Sequence, residues 1–300
     1  MSSNGIDRRR VGLYLLVAFG VSWLTALAIY ATGGLTDSQR LVGGLTVATV
    51  LLPTAYMFGP SIGHVAVRLV EGEGFGGTGI RPKVRAHLWT YAVAWLLPVV
   101  LTIAGAACYF AVFPGRFDPS LEALRGALAG SGVDPMTALL VQTVVAVTVA
   151  PLLNAIPAFG EEYGWRAFLL PELEALGVRE AVLVHGLVWG VWHWPLIAMG
   201  YEYGFTYPGF PVTGFLVFCV FTVAAGAFLA WLWFRTESVW APSVGHGAIN
   251  ASAGLGLVFV AGDPDLLFGP LPVGLLGMLP YVALALLLFR RPDVRRPEAV

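Results

Sequence analysis

Long apolar stretches separated by short polar loops are the first feature of this chain that predicts structure. Residues 11–31 contain no ionisable side chain. Because an α-helix rises 1.5 Å per residue, about 20 such residues cross a hydrocarbon core of about 30 Å. The same pattern recurs along the chain and predicts further spans near residues 42–67, 88–113, 136–160, 181–200, 211–234, 238–260 and 267–289. The pattern therefore predicts an all-α membrane protein, a bundle of about eight transmembrane helices.

Basic residues concentrate in alternate loops, and this bias indicates the orientation of the spans. One set of loops and the two termini hold most of them: Arg8, Arg9, Arg10, Arg68, Arg81, Lys83, Arg85, Arg166, Arg179, Arg235, Arg290, Arg291, Arg295 and Arg296. The other loops hold only Arg40, Arg116 and Arg125. Lysine and arginine mark the cytoplasmic side of a membrane protein. An even number of spans then places both termini in the cytoplasm.

Composition supports a membrane protein and argues against other classes. Charged residues make up 12% of the 300 residues, and the mean hydropathy is +0.77, whereas a soluble domain is about 25% charged. The net charge of −1 offers no basic surface for nucleic acid. Cys108 and Cys219 lie in apolar stretches, which supports neither a disulfide framework nor a cysteine metal site. We expect one polytopic domain over residues 1–300, embedded in the lipid bilayer of the cell membrane.

The N-terminus also has the features of a cleavable signal peptide. Three arginines precede an apolar run that contains Ala-Leu-Ala at 26–28. Because the apolar run continues beyond that point and its flanking charges fit the alternation, the pattern favours an uncleaved first span. Cleavage of this segment is the alternative.

Few ionisable side chains lie within the predicted spans, and such residues are costly in lipid and usually functional. Glu161, Glu162 and Arg166 stand at the end of span four. Because Glu162 and Arg166 are four residues apart, they share a helix face and are expected to pair. Glu161 is turned by about 100° from Glu162, so we expect it to face a cavity.

Spans five and seven carry the remaining candidates. Trp189 lies four residues before His193, and His246 lies four residues before Asn250, so each pair shares a helix face. Histidine exchanges protons near neutral pH, and asparagine adds an amide donor. Convergence of Glu161, His193, His246 and Asn250 from three spans indicates one shared site. Two other histidines, His64 and His185, are interpreted as core side chains.

These motifs resemble those of the CPBP family, the CAAX prenyl endopeptidases and bacteriocin-processing enzymes also called Abi proteins. "EEYGWR" resembles its EExxxR motif, "WGVWH" is similar to its second motif, and "HGAIN" matches its HxxxN motif, all in the family order within residues 158–250. Trp189 stands where phenylalanine is common in the family. The resemblance implies a bundle of transmembrane helices, eight in the characterised CAAX protease, and an intramembrane endopeptidase.

The resemblance also implies a role for each matching residue. Glu161 and His193 would activate a water, His246 and Asn250 would hold that water and stabilise the oxyanion, and Glu162, Arg166 and Trp189 would shape the site. The substrate would be a membrane-associated or lipidated peptide or protein. A zinc ion held by His193, His246 and Glu161 is the alternative, since His₂Glu is a catalytic zinc set. The chain has no HExxH motif, so this set would be assembled across spans, and the lack of an obvious second shell of partners for the ligands favours the metal-free version.

Two hypotheses of other classes stay open. Intramembrane Glu, His and Arg also build proton-coupled transport paths, although no internal repeat typical of transporters is present. A family member with an immunity or scaffold role would keep the fold without turnover. A serine triad is weak, because no acidic residue near His246 in the sequence would orient it behind Ser243. We expect the site to open toward the cytoplasm.

Overall fold

The computed structural model describes residues 5–290 and is helical, with no β-sheet in that range. Arg291, Arg295 and Arg296, which the charge pattern assigns to the cytoplasmic side, lie outside the described residues. The α-helices are α1 (Arg8–Ala31), α2 (Val47–Leu51), α3 (Met57–Val70), α4 (Leu88–Val112), α5 (Glu122–Ala127), α6 (Pro135–Val147), α7 (Ala150–Gly164), α8 (Leu170–Leu173), α9 (Val178–Trp192), α10 (Trp194–Ala198), α11 (Val212–Thr236), α12 (Trp240–Ser252) and α13 (Leu279–Arg290). A π-helical turn, Leu52–Tyr56, joins α2 to α3, and a second, Trp165–Leu169, joins α7 to α8.

Polar side chains cap several helices at the ends of the apolar runs. The Asp7 carboxylate accepts hydrogen bonds from the backbone N–H groups of Arg9 and Arg10 and so begins α1. Thr46 and Thr49 form a reciprocal capping box at the start of α2. Such caps satisfy N–H groups that have no partner inside the helix. Helix starts at the membrane surface are therefore encoded locally.

The number of membrane spans can be tested by helix length and composition. Five helical segments are long and apolar enough to cross a membrane, and α6 with the α7–α8 segment makes a sixth if that pair, bent by 45°, counts as one span. The predicted seventh and eighth spans overlap α12 and α13, which have only 13 and 12 residues. The protein is thus an all-helical, multi-pass membrane protein, and the count of eight stays a prediction.

Span four is broken near its middle, and its predicted end at residue 160 is wrong. The helical segment breaks between α6 and α7, where Pro151 cannot donate a backbone hydrogen bond and its ring disfavours the helix four residues earlier. The carbonyl of Val147 accepts instead from Trp95 Nε1, at 2.5 Å. Beyond the break the helical path continues through the π-turn to Leu176, so Glu161 lies well inside the segment and not at its end.

Helix packing brings the three motif-bearing segments together. α12 packs against α7, α4 and α11, while α9 packs against α11 and α3 packs against α7. A Cβ added to Gly247 would lie 2.4 Å from the Pro151 carbonyl oxygen, so α12 and α7 approach as closely as only glycine permits. This contact places the motif of α12 beside the motif of α7.

Candidate functional site

Glu162 is the centre of a buried charged network. Its Oε1 accepts from Arg166 Nη1 at 2.8 Å and lies 2.8 Å from His246 Nδ1. Glu162 and Arg166 are completely buried. The pair with Arg166 follows from the spacing of four residues, whereas the contact with His246 was missed. The sequence analysis considered only acidic residues near His246 in the sequence, whereas Glu162 lies 84 residues earlier and meets His246 from the neighbouring helix α7.

Glu161 faces the other way and meets α9. Its Oε2 accepts a hydrogen bond from Trp189 Nε1 at 2.7 Å. The same indole ring lies beneath the Arg166 guanidinium, whose carbon is 4.4 Å from the ring centroid. Such a cation–π contact is attractive because the face of the ring is negative. Trp189 thus joins Glu161 to the charged network.

His193 ends α9 and is oriented by its own helix. Its Nδ1 lies 2.9 Å from the Trp189 carbonyl oxygen, an arrangement that makes Nδ1 the donor and leaves Nε2 as a proton acceptor. The break before Pro195 separates α9 from α10 at this residue. The histidine ring therefore projects from a helix terminus with a defined tautomer.

The four catalytic candidates line one cavity of about 80 Å³. Glu161, His193 and His246 are buried on its walls, and Asn250 is exposed at its rim. A cavity of this size holds several water molecules. The described arrangement thus provides a carboxylate, two imidazoles and an amide around a space large enough for water.

The two other histidines lie outside this cavity. His64 is buried, its Nδ1 is 2.8 Å from the Tyr163 carbonyl oxygen, and its ring packs against Tyr163 and Phe168. His185 is fully buried, with its ring edge-to-face on Trp165. Both positions agree with their interpretation as core side chains.

The zinc alternative can be tested against the arrangement of donor atoms. Among residues 5–290, no group of three or more His, Cys, Asp or Glu side chains is placed to hold a metal ion. The hydrogen bonds of these side chains use Glu161 Oε2 and the Nδ1 atoms of His193 and His246. Because zinc ligands commonly carry such second partners, the spacing of the side chains decides the question and not these bonds. The residues present do not fit a His₂Glu zinc site, so no chemical step is assigned to a metal.

Glu202 is a further carboxyl group of the cavity that the sequence analysis did not single out. It lies in the loop after α10 and lines the cavity beside Tyr201. Its backbone is in the left-handed region, with φ at 65°, which is costly for a residue with a side chain. Glu202 is partly exposed, and the loss of solvent around the rest of its side chain raises its pKa from the usual 4.5 to about 7, although the Tyr201 hydroxyl opposes this shift by donating to the carboxylate. A polar residue in a short loop gives no sequence signal that it lines an internal cavity.

The raised pKa of Glu202 predicts a pH-dependent stability. The folded protein binds this proton more tightly than the unfolded chain, so the stabilising contribution is complete below the unfolded pKa and is lost as the pH rises through about 7. We expect Glu202→Gln to gain thermal stability relative to the unsubstituted protein as the pH increases from about 5 to about 8. Thermal unfolding in detergent measures this difference. The exposed glutamate of α5 supplies the control, Glu122→Gln, and an equal pH trend in both variants would contradict the assignment.

A known protein family matches the part of the chain that carries these site residues. Residues 137–252 match the family model described as type II CAAX prenyl endopeptidase, Rce1-like. The chain carries a domain of this Rce1-like family. The matched residues of the Rce1-like domain run from α6 to the end of α12 and include Glu161, His193, His246 and Asn250. No curated protein matches the chain.

Proposed function

We propose that this protein is an intramembrane endopeptidase that hydrolyses a peptide bond of a membrane-associated or lipidated peptide or protein. The observation that supports it best is the convergence of Glu161, His193, His246 and Asn250 on one cavity from three helices. The Rce1-like match adds support from protease relatives. We further propose that residues 1–300 form one polytopic domain in the cell membrane. This domain has eight membrane segments, and both of its termini are cytoplasmic.

Water activation is assigned to Glu161 and His193. A cavity water transfers one proton to the Glu161 carboxylate, while the unprotonated Nε2 of His193 accepts a hydrogen bond from the remaining O–H. The water oxygen then bonds to the scissile carbonyl carbon. When the carbon–nitrogen bond breaks, the amine leaving group takes up the proton held by Glu161. The Trp189 hydrogen bond to Oε2 holds the carboxylate toward α9.

Oxyanion stabilisation is assigned to His246 and Asn250. The tetrahedral intermediate carries negative charge on the former carbonyl oxygen, and preorganised donors lower its energy. The Asn250 amide supplies two N–H donors at the rim of the cavity. Glu162 holds His246 through Nδ1, which leaves Nε2 as the nitrogen available to the cavity. When the His246 imidazole is protonated, its Nε2 donates a hydrogen bond to the oxyanion.

Substrate identification tests the proposal directly. We expect small membrane peptides to differ between cells that produce the unsubstituted protein and cells that produce only the Glu161→Gln variant, with full-length precursors accumulating in the latter. Identical peptide sets would contradict endopeptidase activity and favour a transport or scaffold role. The cleaved peptide then serves as the substrate for purified protein. Because no metal is assigned, cleavage is expected to survive dialysis against a chelator, and zinc-dependent recovery of lost activity would contradict the proposed water activation.

Trp189 provides a test of Glu161 orientation. Trp189→Phe keeps an aromatic ring beside Arg166 but removes the indole N–H that bonds to Glu161. Since a hydrogen bond to a charged group contributes about 1.5–3 kcal/mol, the cleavage rate is expected to fall roughly 10- to 100-fold. The control is Trp231→Phe on α11, where the ring stacks on Phe228 away from the cavity. Equal rates in the two variants would refute this role for Trp189.

A further inference from the structure

The two ends of the helix bundle differ in charge. Ion pairs join the helix termini at the end where α1 begins. Arg10, at the start of α1, binds Glu73 and Glu172 at 2.6 and 2.8 Å and also binds Glu71. These partners follow α3 and lie on α8, so the same end gathers the termini of three segments. We call it the basic end, because the loops and helix termini with the basic clusters meet there.

The opposite end is formed by the loops 32–46, 113–134, 199–211 and 253–278. Of the chain's 17 lysines and arginines, only Arg40, Arg116 and Arg125 lie in these loops. Lysine and arginine are retained on the cytoplasmic side during insertion. The basic end is therefore cytoplasmic, and the four loops lie on the extracytoplasmic side.

Helix α1 gives a scale for the depth of the cavity. Trp23 lies 13 residues after Arg10, or about 20 Å further along the axis. Its Nε1 donates to the Trp192 carbonyl oxygen at 3.1 Å, which sets the height of Trp192 and the adjacent His193. In a hydrocarbon core of about 30 Å, these residues lie in the half of the membrane opposite Arg10.

Buried aromatic rings close the path from the cavity to the basic end along α1. Trp192, on the cavity wall, meets Trp165 with ring centroids 5.8 Å apart, and Trp165 meets Tyr14 at 5.9 Å. Tyr14 in turn stacks on Phe168, which lies beneath Arg10. All four rings are at most 2% exposed. Beside them, a Cβ on Gly164 would lie 2.4 Å from the Pro60 carbonyl oxygen, so α7 and α3 leave no passage where they meet.

The exposed part of the cavity lies toward the extracytoplasmic loops. Tyr201 and Glu202 of loop 199–211 line it, together with Pro272 and Val273 of loop 253–278. The Tyr203 hydroxyl donates to the Val273 carbonyl oxygen at 2.8 Å and joins these two loops. Six lining side chains are exposed or partly exposed and form the rim: Leu52, Met57, Tyr201, Glu202, Asn250 and Ala253.

From this placement we infer that the active site opens to the extracytoplasmic half of the membrane and takes exported peptides, or segments anchored at the outer surface, as substrates. A cytoplasmic lipidated tail would have to pass the buried aromatic rings. This inference replaces the sequence-based expectation of a cytoplasmic opening, and the experiment below decides between the two. The substrate class rests on the proposed function, whereas the direction of opening does not.

Cysteine accessibility tests the direction of opening without any assay of activity. In a background with Cys108→Ala and Cys219→Ala, Ala253→Cys places a thiol at the rim of the cavity. Gly115→Cys is the extracytoplasmic loop control, and Gly76→Cys is the basic-end control. No neighbouring atom would crowd a side chain at either glycine. Intact cells are treated with a membrane-impermeant maleimide and compared with permeabilised cells.

We expect Ala253→Cys and Gly115→Cys to react in intact cells, and Gly76→Cys to react only after permeabilisation. Glu202→Cys is a second rim position if Ala253→Cys does not fold. Rim labelling only after permeabilisation, or no labelling while both controls react, would overturn the inference. If the rim cysteine is labelled from outside but the protein cleaves no peptide, the protease proposal is refuted and the direction of opening stands. Once a substrate peptide is known, its cleavage when added outside sealed right-side-out vesicles tests the substrate class.

Discussion

Glu161→Gln is expected to abolish peptide cleavage while leaving the protein folded. Glutamine has nearly the same shape and can still accept from Trp189 Nε1, but it cannot take a proton from water. Loss of a general base lowers the rate by about 10²- to 10⁴-fold, which would leave cleavage close to background. Because the two side chains have nearly the same size, this replacement removes the general base with little change in packing. Rates of cleavage and size-exclusion profiles in detergent measure the two effects together.

A second glutamate on the same helical path provides the control that separates loss of the general base from a general loss of charge. Glu172 pairs with Arg10 at 2.8 Å and does not line the cavity. Glu172→Gln is therefore expected to retain cleavage. A Glu161→Gln variant that cleaves as fast as Glu172→Gln would remove Glu161 from the mechanism.

Glu162→Ala is expected to destabilise the whole protein in addition to removing activity. The substitution leaves the completely buried Arg166 without its carboxylate and leaves His246 Nδ1 without its acceptor. Breaking a buried ion pair by removing one partner costs about 3–5 kcal/mol, because the other charge remains in a medium of low polarity. Thermal unfolding in detergent should show a large fall in the midpoint.

A double substitution distinguishes the two roles of Glu162. Replacing a buried pair by apolar side chains of similar volume is often neutral or stabilising, so Glu162→Leu combined with Arg166→Met should recover much of the lost stability. Activity should not return, because nothing then orients His246. Recovery of both stability and cleavage would show that Glu162 only neutralises Arg166. Wild-type stability in Glu162→Ala alone would contradict the network.

The helices that were predicted most closely are those with uninterrupted apolar runs. Predicted spans at 88–113 and 211–234 correspond to helices Leu88–Val112 and Val212–Thr236. Such segments form helices in lipid because every backbone polar group must be bonded within the segment. Span four was predicted less well, since Pro151 breaks it and the π-turn after Gly164 extends it past the charged residues.

The Glu162–Arg166 pair could be predicted for the same local reason, because residues four apart meet on one helix face. The contacts of Glu162 with His246 and of Glu161 with Trp189 could not, since each joins side chains of different helices. Helical angles predict which way a side chain points within its own helix. They do not predict which neighbour it meets, or how tilt and glycine contacts set the relative heights of two helices.

The order of amino acids by itself determined three features: the residues of the candidate site, the apolar segments that carry them, and the bias of basic charge. These features could be predicted because hydrophobicity and helical periodicity act over short stretches of chain. Tertiary packing decided that Glu162 holds His246, that Glu202 is the additional carboxyl group of the cavity, and that buried aromatic rings separate this cavity from the basic end. These features depend on the close approach of helices distant in sequence, and that approach is set by the shapes of all the side chains between them.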